Sequence, residues 1–275
     1  LRPELEILLE GRDGSSIHEM LDEQVAAVLI NHVDYRSGII RDMENLTRQV
    51  QEFGGLAVWD LSHSAGIFPV QLNRCRVDFA VGCTYKYLNG GPGAPAYLYA
   101  ASRHHAACNQ PLSGWFGHAR PFDFERHFDP DSGIRRFVCG TQPILSLRAL
   151  QSGLEIYQDV SLQQVREKSM ALTDLFIKLL KNECAAWELE IISPEDASQR
   201  GSQVAVSHPE GYAVMQALIS RGVIGDFRAP NLMRFGFAPL FLSYQDIHDA
   251  VKQLKQILES EEWNQEAFLQ KSKVT

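Results

Sequence analysis

Residues 77–93 read VDFAVGCTYKYLNGGPG and join a short apolar run to a lysine and a glycine-rich turn. The run 77–81 is typical of a buried strand, and Lys86 follows it between two tyrosines. An amine that is partly removed from water is a better nucleophile and can form a Schiff base with a carbonyl compound. A solvated lysine in a connecting loop is the alternative interpretation, since most lysines are exposed. The stretch indicates a sheet in which one strand leads into a reactive lysine.

The stretch WDLSHSAG, residues 59–66, places a second polar group at a strand end. Asp60 lies at the end of an apolar run, and open α/β sheets bind ligands at the carboxyl ends of their strands. A buried carboxylate needs a cationic partner, and the protonated ring nitrogen of pyridoxal phosphate is one. His63 can donate to the polar edge of that cofactor, although a single Asp or His also serves as a helix cap or a core hydrogen bond. Asp60 and Lys86, 26 residues apart on successive strands, together predict a pyridoxal-phosphate site.

Strand and helix patterns alternate along the first half of the chain. Four apolar runs are predicted to be strands: residues 25–30, 56–61, 77–81 and 96–101. The first of them, rich in β-branched residues, is expected to be buried on both faces. Asp42 and Gly54 mark the start and the end of a predicted helix. Residues 112–140 have no sustained period and are predicted to form an ordered loop near a site.

The second half of the chain has a different pattern. Two helices are predicted at residues 144–158 and 162–180, the second with an apolar stripe. Shorter units of a small α+β domain follow: strands 189–192, 203–207 and 232–237, and helices 212–221 and 244–259. The fold class is therefore α/β. We expect two domains, a cofactor-binding large domain over residues 1–160 and a linking helix with a small C-terminal domain over residues 161–275.

The composition narrows the function classes. Lys+Arg of 26 against Asp+Glu of 34 gives −8, which favours a small-molecule partner over nucleic acid or an anionic membrane. No run approaches the ~20 apolar residues of a membrane span, and no signal peptide is recognisable. Five cysteines without a CxxC pair indicate reduced thiols and a cytoplasmic protein. His104, His105 and Cys108 supply too few ligands for a metal, so none is expected.

Five stretches of the chain resemble the kynureninases: WDLSHSAG, DFAVGCTYKYLNGGPG, LSGWFGH, GTQPI and MRFGFAPL. The similarity extends along nearly the whole chain. Kynureninases are fold type I pyridoxal-phosphate enzymes, so the resemblance implies part of a fold type I large domain followed by the small α+β domain. It also implies a further N-terminal stretch, which carries the cup for the cofactor phosphate. No matching segment precedes Leu1, and we expect that portion either to be absent or to come from a complementing piece.

The resemblance implies a role for individual residues. Lys86 resembles the lysine that bonds to pyridoxal phosphate, and Asp60 the partner of its ring nitrogen. His63 and Tyr85 resemble further cofactor contacts, and Tyr85 is implied to assist proton transfer, so that Lys86, Tyr85 and Asp60 form the catalytic set. Arg234 resembles the arginine that binds the substrate α-carboxylate, for which its planar fork is suited. A surface salt bridge is the alternative for this arginine.

Two residues are implied to act across a subunit interface. Trp115 and Thr141 match positions that reach the phosphate of the neighbouring subunit's cofactor. The resemblance therefore implies a homodimer with shared active sites. The animal enzymes have asparagine at the position of Thr141, but both side chains can hydrogen-bond an anionic oxygen.

The resemblance implies hydrolysis of L-kynurenine, or of its 3-hydroxy form, to L-alanine and anthranilate or 3-hydroxyanthranilate. This reaction belongs to tryptophan catabolism, the kynurenine pathway and NAD biosynthesis. A class V aminotransferase or a cysteine desulfurase is an alternative in the same fold. A truncated, catalytically silent dimerising module is an alternative of another class.

Overall fold

The computed structural model describes residues 5–11 and 16–270. The strands are β1 (Ala27–Asn31), β2 (Leu56–Asp60), β3 (Phe79–Cys83), β4 (Ala96–Ala100), β5 (Glu190–Ile191), β6 (Gln203–Ser207), β7 (Asp226–Arg228) and β8 (Leu232–Gly236). The helices are α1 (Ile17–Met20), α2 (Met43–Glu52), α3 (Ser102–His105), α4 (Ile144–Glu155), α5 (Leu162–Glu183), α6 (Gly211–Ser220), α7 (Tyr244–Glu259) and α8 (Glu266–Leu269). The predicted α/β class is confirmed.

The first sheet has the strand order β1-β2-β3-β4, with β1, β2 and β3 parallel and β4 antiparallel to β3. Asp42 caps α2, because its side chain accepts a hydrogen bond from the backbone N–H of Asn45, and α2 packs on one face of the sheet. Trp59 is fully buried beneath this helix, and its indole N–H donates to Thr47 at 2.9 Å. Because β1, β2 and β3 are parallel, their carboxyl ends lie at one edge of the sheet.

The opposite face of the first sheet is open in the part of the chain that the structure describes. Leu29 is 71% exposed, and Leu56 of β2 and Leu98 of β4 are also exposed. The expectation that the first strand is buried on both faces is therefore wrong. The physical reason is that the buried residues around α1 and α2 pack on the Trp59 face alone, so the strand alternates between buried and exposed positions.

The second sheet is antiparallel, with the order β5-β6-β8-β7. It packs against α5, α6 and α7, and the side chains at their interface include Phe176, Val204, Met215, Met233 and Leu254. Helix α7 begins at a capping box in which Ser243 and Asp246 satisfy each other's backbone N–H groups. This sheet and its helices lie within the predicted second domain, and the boundary at residues 160 and 161 stays a prediction.

The loops at the carboxyl edge of the first sheet contact the second sheet. The Tyr87 hydroxyl donates to the Ser202 carbonyl at 2.8 Å, and the Gln203 side chain donates to the carbonyls of Asp34 and Tyr35. An isolated bridge also pairs Ile39 with Arg200. These contacts place the residues that follow β1 and β3 beside β6 and β8.

Two classes of feature are not found in residues 5–11 and 16–270. No helix in these ranges is long and apolar enough to cross a membrane. No group of three or more His, Cys, Asp or Glu side chains in them is arranged to hold a metal ion.

Candidate active site

Asp60 is the last residue of β2, and its carboxylate is oriented by two donors. One oxygen accepts from the side-chain amide of Asn31 at 3.0 Å, and the other accepts from the backbone N–H of Ser62 at 2.8 Å. Asn31 is the register partner of Asp60 in β1, so parallel pairing places the two side chains on the same face. Within the described ranges, Asp60 forms no ion pair. The half-buried carboxylate is therefore fixed in position and available to a cation.

Lys86 lies in the turn that follows β3, and its amine contacts His63. The distance from Nζ of Lys86 to Nε2 of His63 is 3.1 Å. The turn is held by a hydrogen bond from the Gly90 N–H to the Thr84 carbonyl at 2.9 Å, and a Cβ at Gly90 would stand 2.9 Å from that same oxygen. Glycine is thus required for the close approach that carries Lys86 to His63.

His63 is neutral at physiological pH. Burial is the largest cause that lowers its pKa, and the positive charges of Lys86 and Arg234 lower it further. The carboxylates of Asp60 and Asp226 act in the opposite direction, and the resulting pKa is about 4. A neutral imidazole accepts a hydrogen bond at its unprotonated nitrogen, so His63 can orient the Lys86 amine.

Tyr85 is beside the same amine. Nζ of Lys86 lies 5.7 Å from the centroid of the Tyr85 ring, and the side chain is 53% exposed. Desolvation and the neighbouring Cys83 raise the pKa of the Tyr85 phenol. The phenol is therefore protonated at neutral pH and can donate a proton to a group held near Lys86.

Arg234 projects from β8 with a side chain that is only 11% exposed. Its Nε donates to Oδ1 of Asp226 at 2.6 Å, and Nη2 donates to Oδ2 of the same carboxylate. Nη1 donates to the backbone carbonyl of Tyr35, which follows β1. The guanidinium thus connects the second sheet with the first. Its positive charge lowers the pKa of His63.

Trp115 and Thr141 are not brought to the Lys86 group by this chain. Trp115 lies in a 3-10 turn, Trp115–Gly117, is 46% exposed and packs edge-on against Phe116 and Phe122. Thr141 is also exposed. The segments that carry the two residues are neighbours. A Cβ atom built on Gly140, which precedes Thr141, would lie 4.0 Å from Nε1 of Trp115. Both residues therefore belong to one exposed surface.

Sequence reasoning assigned no role to three residues of this site. Asn31 could have been found by the strand-end rule that identified Asp60, because it ends the neighbouring strand. Asp226 lies on the three-residue strand β7, too short to give a pattern. Tyr35 contributes a backbone carbonyl, which no side-chain motif can indicate.

Solved structures of other proteins share this architecture, and one of them, a variant of C-DES, has glycine covalently linked to its pyridoxal-phosphate cofactor. A cysteine desulfurase from Thermococcus onnurineus NA1 aligns with a TM-score of 0.74 at 18% identity, covering 88% of this chain and 62% of that one. The cystine C-S lyase C-DES aligns with a TM-score of 0.75 at 17% identity, covering 86% of this chain and 63% of that one. The fold is that of the fold type I pyridoxal-phosphate enzymes, as predicted from the sequence.

Sequence comparison identifies the relatives within that class. Residues 165–254 match the sequence model of the kynureninase C-terminal domain. Kynureninase from Burkholderia mallei (strain SAVP1) is 48% identical over 263 residues, which are 96% of this chain and 63% of that protein. Kynureninase from Pseudomonas fluorescens is 48% identical over 257 residues, 94% of this chain and 62% of that protein. This chain is a homologue of the kynureninases, which confirms the predicted resemblance, and it spans less than two thirds of their length.

Proposed function

We propose that this chain carries the lysine and the substrate-binding arginine of a kynureninase that hydrolyses L-kynurenine or its 3-hydroxy form. The products would be L-alanine and anthranilate or 3-hydroxyanthranilate, in tryptophan catabolism. The observation that carries the proposal is the Lys86 amine 3.1 Å from a neutral His63, at the sheet edge where Asp60 ends β2. The five free cysteines are consistent with a cytoplasmic enzyme.

The residues at this edge fit pyridoxal phosphate. Asp60 is a half-buried carboxylate without an ion-pair partner in the described ranges, and a protonated ring nitrogen would supply that partner. Lys86 would bond to the cofactor's carbonyl carbon, and His63 would contact its polar edge. When bound, pyridoxal phosphate withdraws electrons from the substrate carbon bonded to the α-nitrogen and so lowers the barrier to bond cleavage.

The chain's own residues divide the proton transfers between them. The Lys86 amine can remove the substrate α-proton, and the neutral His63 imidazole would hold that amine in position through the 3.1 Å contact. The protonated Tyr85 phenol can donate to the carbon that becomes the methyl group of alanine. Arg234 would bind the substrate α-carboxylate and hold the reacting bond near these groups.

We propose a homodimer in which Trp115 and Thr141 reach the phosphate bound by the partner subunit. Both residues are exposed, and neither contacts Lys86 within its own chain. Apolar side chains exposed nearby in sequence also favour an interface: Leu112, Phe122, Phe124, Ile144 and Leu145. Mixing Lys86→Ala subunits with Trp115→Ala subunits tests this arrangement. Heterodimers with one intact shared site should recover activity that neither variant has alone, and no recovery would contradict shared sites.

Cysteine desulfurase activity is a second candidate, because the structural neighbours include desulfurases. Cys139 is exposed and Cys108 is half-buried, so either thiol could be offered as the persulfide acceptor. The experiment that decides supplies the protein with pyridoxal phosphate and then either kynurenine or cysteine. Anthranilate fluorescence without sulfide supports the proposal, and sulfide without anthranilate supports a desulfurase.

A catalytically silent dimerising module is the third candidate, since the chain covers 63% of its relatives. In the same experiment such a module would produce neither anthranilate nor sulfide. It would also give the same visible spectrum with pyridoxal phosphate whether or not Lys86 is replaced by alanine. A visible band that depends on Lys86 would exclude the silent module.

A further inference from the structure

The Asp226–Arg234 pair bears directly on how a substrate carboxylate can bind. A guanidinium has five N–H donors, and Asp226 and the Tyr35 carbonyl engage three of those of Arg234. One N–H therefore remains on each terminal nitrogen. Two such donors on adjacent nitrogens are what a carboxylate needs for a bidentate contact. The Asp226 carboxylate occupies the edge that contains Nε, and the remaining N–H groups on Nη1 and Nη2 have no partner among the described residues.

The charges around Asp226 sum to a net positive charge, which can attract an anion. Asp226 lies opposite Arg234 in the register of β7 and β8. Its Oδ2 is also 3.4 Å from Nη2 of Arg228, on the same strand as Asp226. Two guanidinium groups and one carboxylate carry a net charge of +1, which one substrate carboxylate would neutralise. Asp226 thus lowers the cost of burying Arg234 without cancelling the attraction for an anionic ligand.

We infer that Asp226 is a positioning residue for Arg234. Before a substrate binds, Asp226 holds the Arg234 guanidinium in the orientation that selects substrates with a free α-carboxylate. The inference rests on the proposed function. A long side chain that is ordered before the substrate arrives loses less conformational freedom on binding. The Tyr35 carbonyl supplies the second support, from the first sheet, so the guanidinium is held from both sides of the site.

The Asp226–Arg234 pair and the Lys86 amine both act on His63. Arg234 lowers the pKa of His63 and Asp226 raises it, which requires that both charges lie within electrostatic range of the imidazole. His63 in turn contacts Lys86 at 3.1 Å. A carboxylate bound at Arg234 would therefore lie within electrostatic range of His63, the residue that contacts the Lys86 amine.

The test measures ligand selectivity of the holoenzyme by titration calorimetry. The probe is 3-(2-aminobenzoyl)propanoate, which is kynurenine without its α-amino group, and its neutral amide is the matched ligand. In Asp226→Asn the dissociation constant of the acid should rise roughly tenfold or more, since a charged hydrogen-bonded support is lost. That of the amide should change less than about twofold. Asp226→Glu, which keeps two anionic oxygens, should recover part of the selectivity for the acid.

Asp249→Asn is the control, because Asp249 is exposed on α7 and its only side-chain hydrogen bond among the described residues is with Gln245. It should bind both ligands as the wild type does. Unchanged or tighter binding of the acid in Asp226→Asn would overturn the inference, because Asp226 would then be dispensable or a competitor. Equal weakening of acid and amide would overturn it too, since Asp226 would then support only the fold. Kynurenine turnover by the wild type tests the proposed function separately.

Discussion

His32 is buried beneath the candidate site. Its surroundings determine how strongly we expect the unfolding free energy to depend on pH. It follows β1, and its backbone N–H donates to the carbonyl of Asp60 at 3.0 Å. The imidazole is 6% exposed and lies edge-on to Trp59 and Phe68, with ring centroids 5.7 and 5.3 Å away. Its Nδ1 has no hydrogen-bond partner among the described residues. Burial therefore lowers the pKa of His32 from 6.5 to about 4.

The sign of the pH dependence follows from this lowered pKa. As the pH falls from 6.5 towards 4, the unfolded chain binds a proton at His32 and the folded chain does not. Stability is therefore complete above about pH 6.5 and is lost progressively below it. At about pH 5, some 1.5 pH units below the unfolded value, the loss is about 2 kcal/mol at ~1.4 kcal/mol per unit.

His32→Phe removes this titration and keeps an aromatic ring in the cluster. Urea unfolding at about pH 8 and pH 5 gives the change in unfolding free energy for each protein. The decrease on acidification should be about 2 kcal/mol smaller in His32→Phe than in the wild type. His248→Phe, at an exposed position of α7, should keep the wild-type decrease. If His32→Phe loses as much stability as the wild type, His32 is not buried in its neutral form.

Three substitutions test the site itself. Lys86→Ala should abolish kynurenine turnover and the visible cofactor band while non-covalent cofactor binding persists; turnover within about tenfold of wild type would contradict the assignment of Lys86. Asp60→Asn should lower kcat by about 100-fold or more, because a neutral amide cannot hold the ring nitrogen protonated; an unchanged kcat would mean that Asp60 does not face the ring. Arg234→Lys should raise KM for kynurenine by roughly tenfold or more, since an ammonium cannot replace a bidentate fork; a lost cofactor band with an unchanged KM would assign Arg234 to the cofactor or the fold.

Elements with strong local signals could be predicted from the sequence. Helix α7 spans the predicted residues 244–259 because a cap at Ser243 and an apolar stripe agree on its limits. Strand β6 likewise spans the predicted residues 203–207. Strand β7 could not be predicted, because its three residues are defined by pairing with β8 rather than by their own pattern. The exposure of Leu29 also depends on what covers the sheet, which a local pattern does not contain.

The candidate site likewise contains residues that could be predicted from the sequence and residues that could not. Asp60 and Lys86 could be related from the sequence because parallel strands end at one edge, so residues far apart in the chain share that edge. Their distance from Arg234 depends on the contact between the two sheets, and only the resemblance to the kynureninases connected them. Asp226 was missed because β7 was missed. The assignments of Trp115 and Thr141 to a partner's site stay predictions, since they concern a second subunit.

The contact between the two sheets fixes the lysine-bearing turn relative to the arginine-bearing strand. Tyr87, next to Lys86, donates to the Ser202 carbonyl, and Gln203 and Arg234 both donate to the Tyr35 carbonyl. The turn that carries the lysine and the strand that carries the arginine are therefore held by adjacent hydrogen bonds. This contact keeps the Lys86 amine and the Arg234 guanidinium in a fixed relation. Under the proposed function, selectivity for kynurenine would come from groups around the aryl ketone, beyond the Lys86 and Arg234 positions.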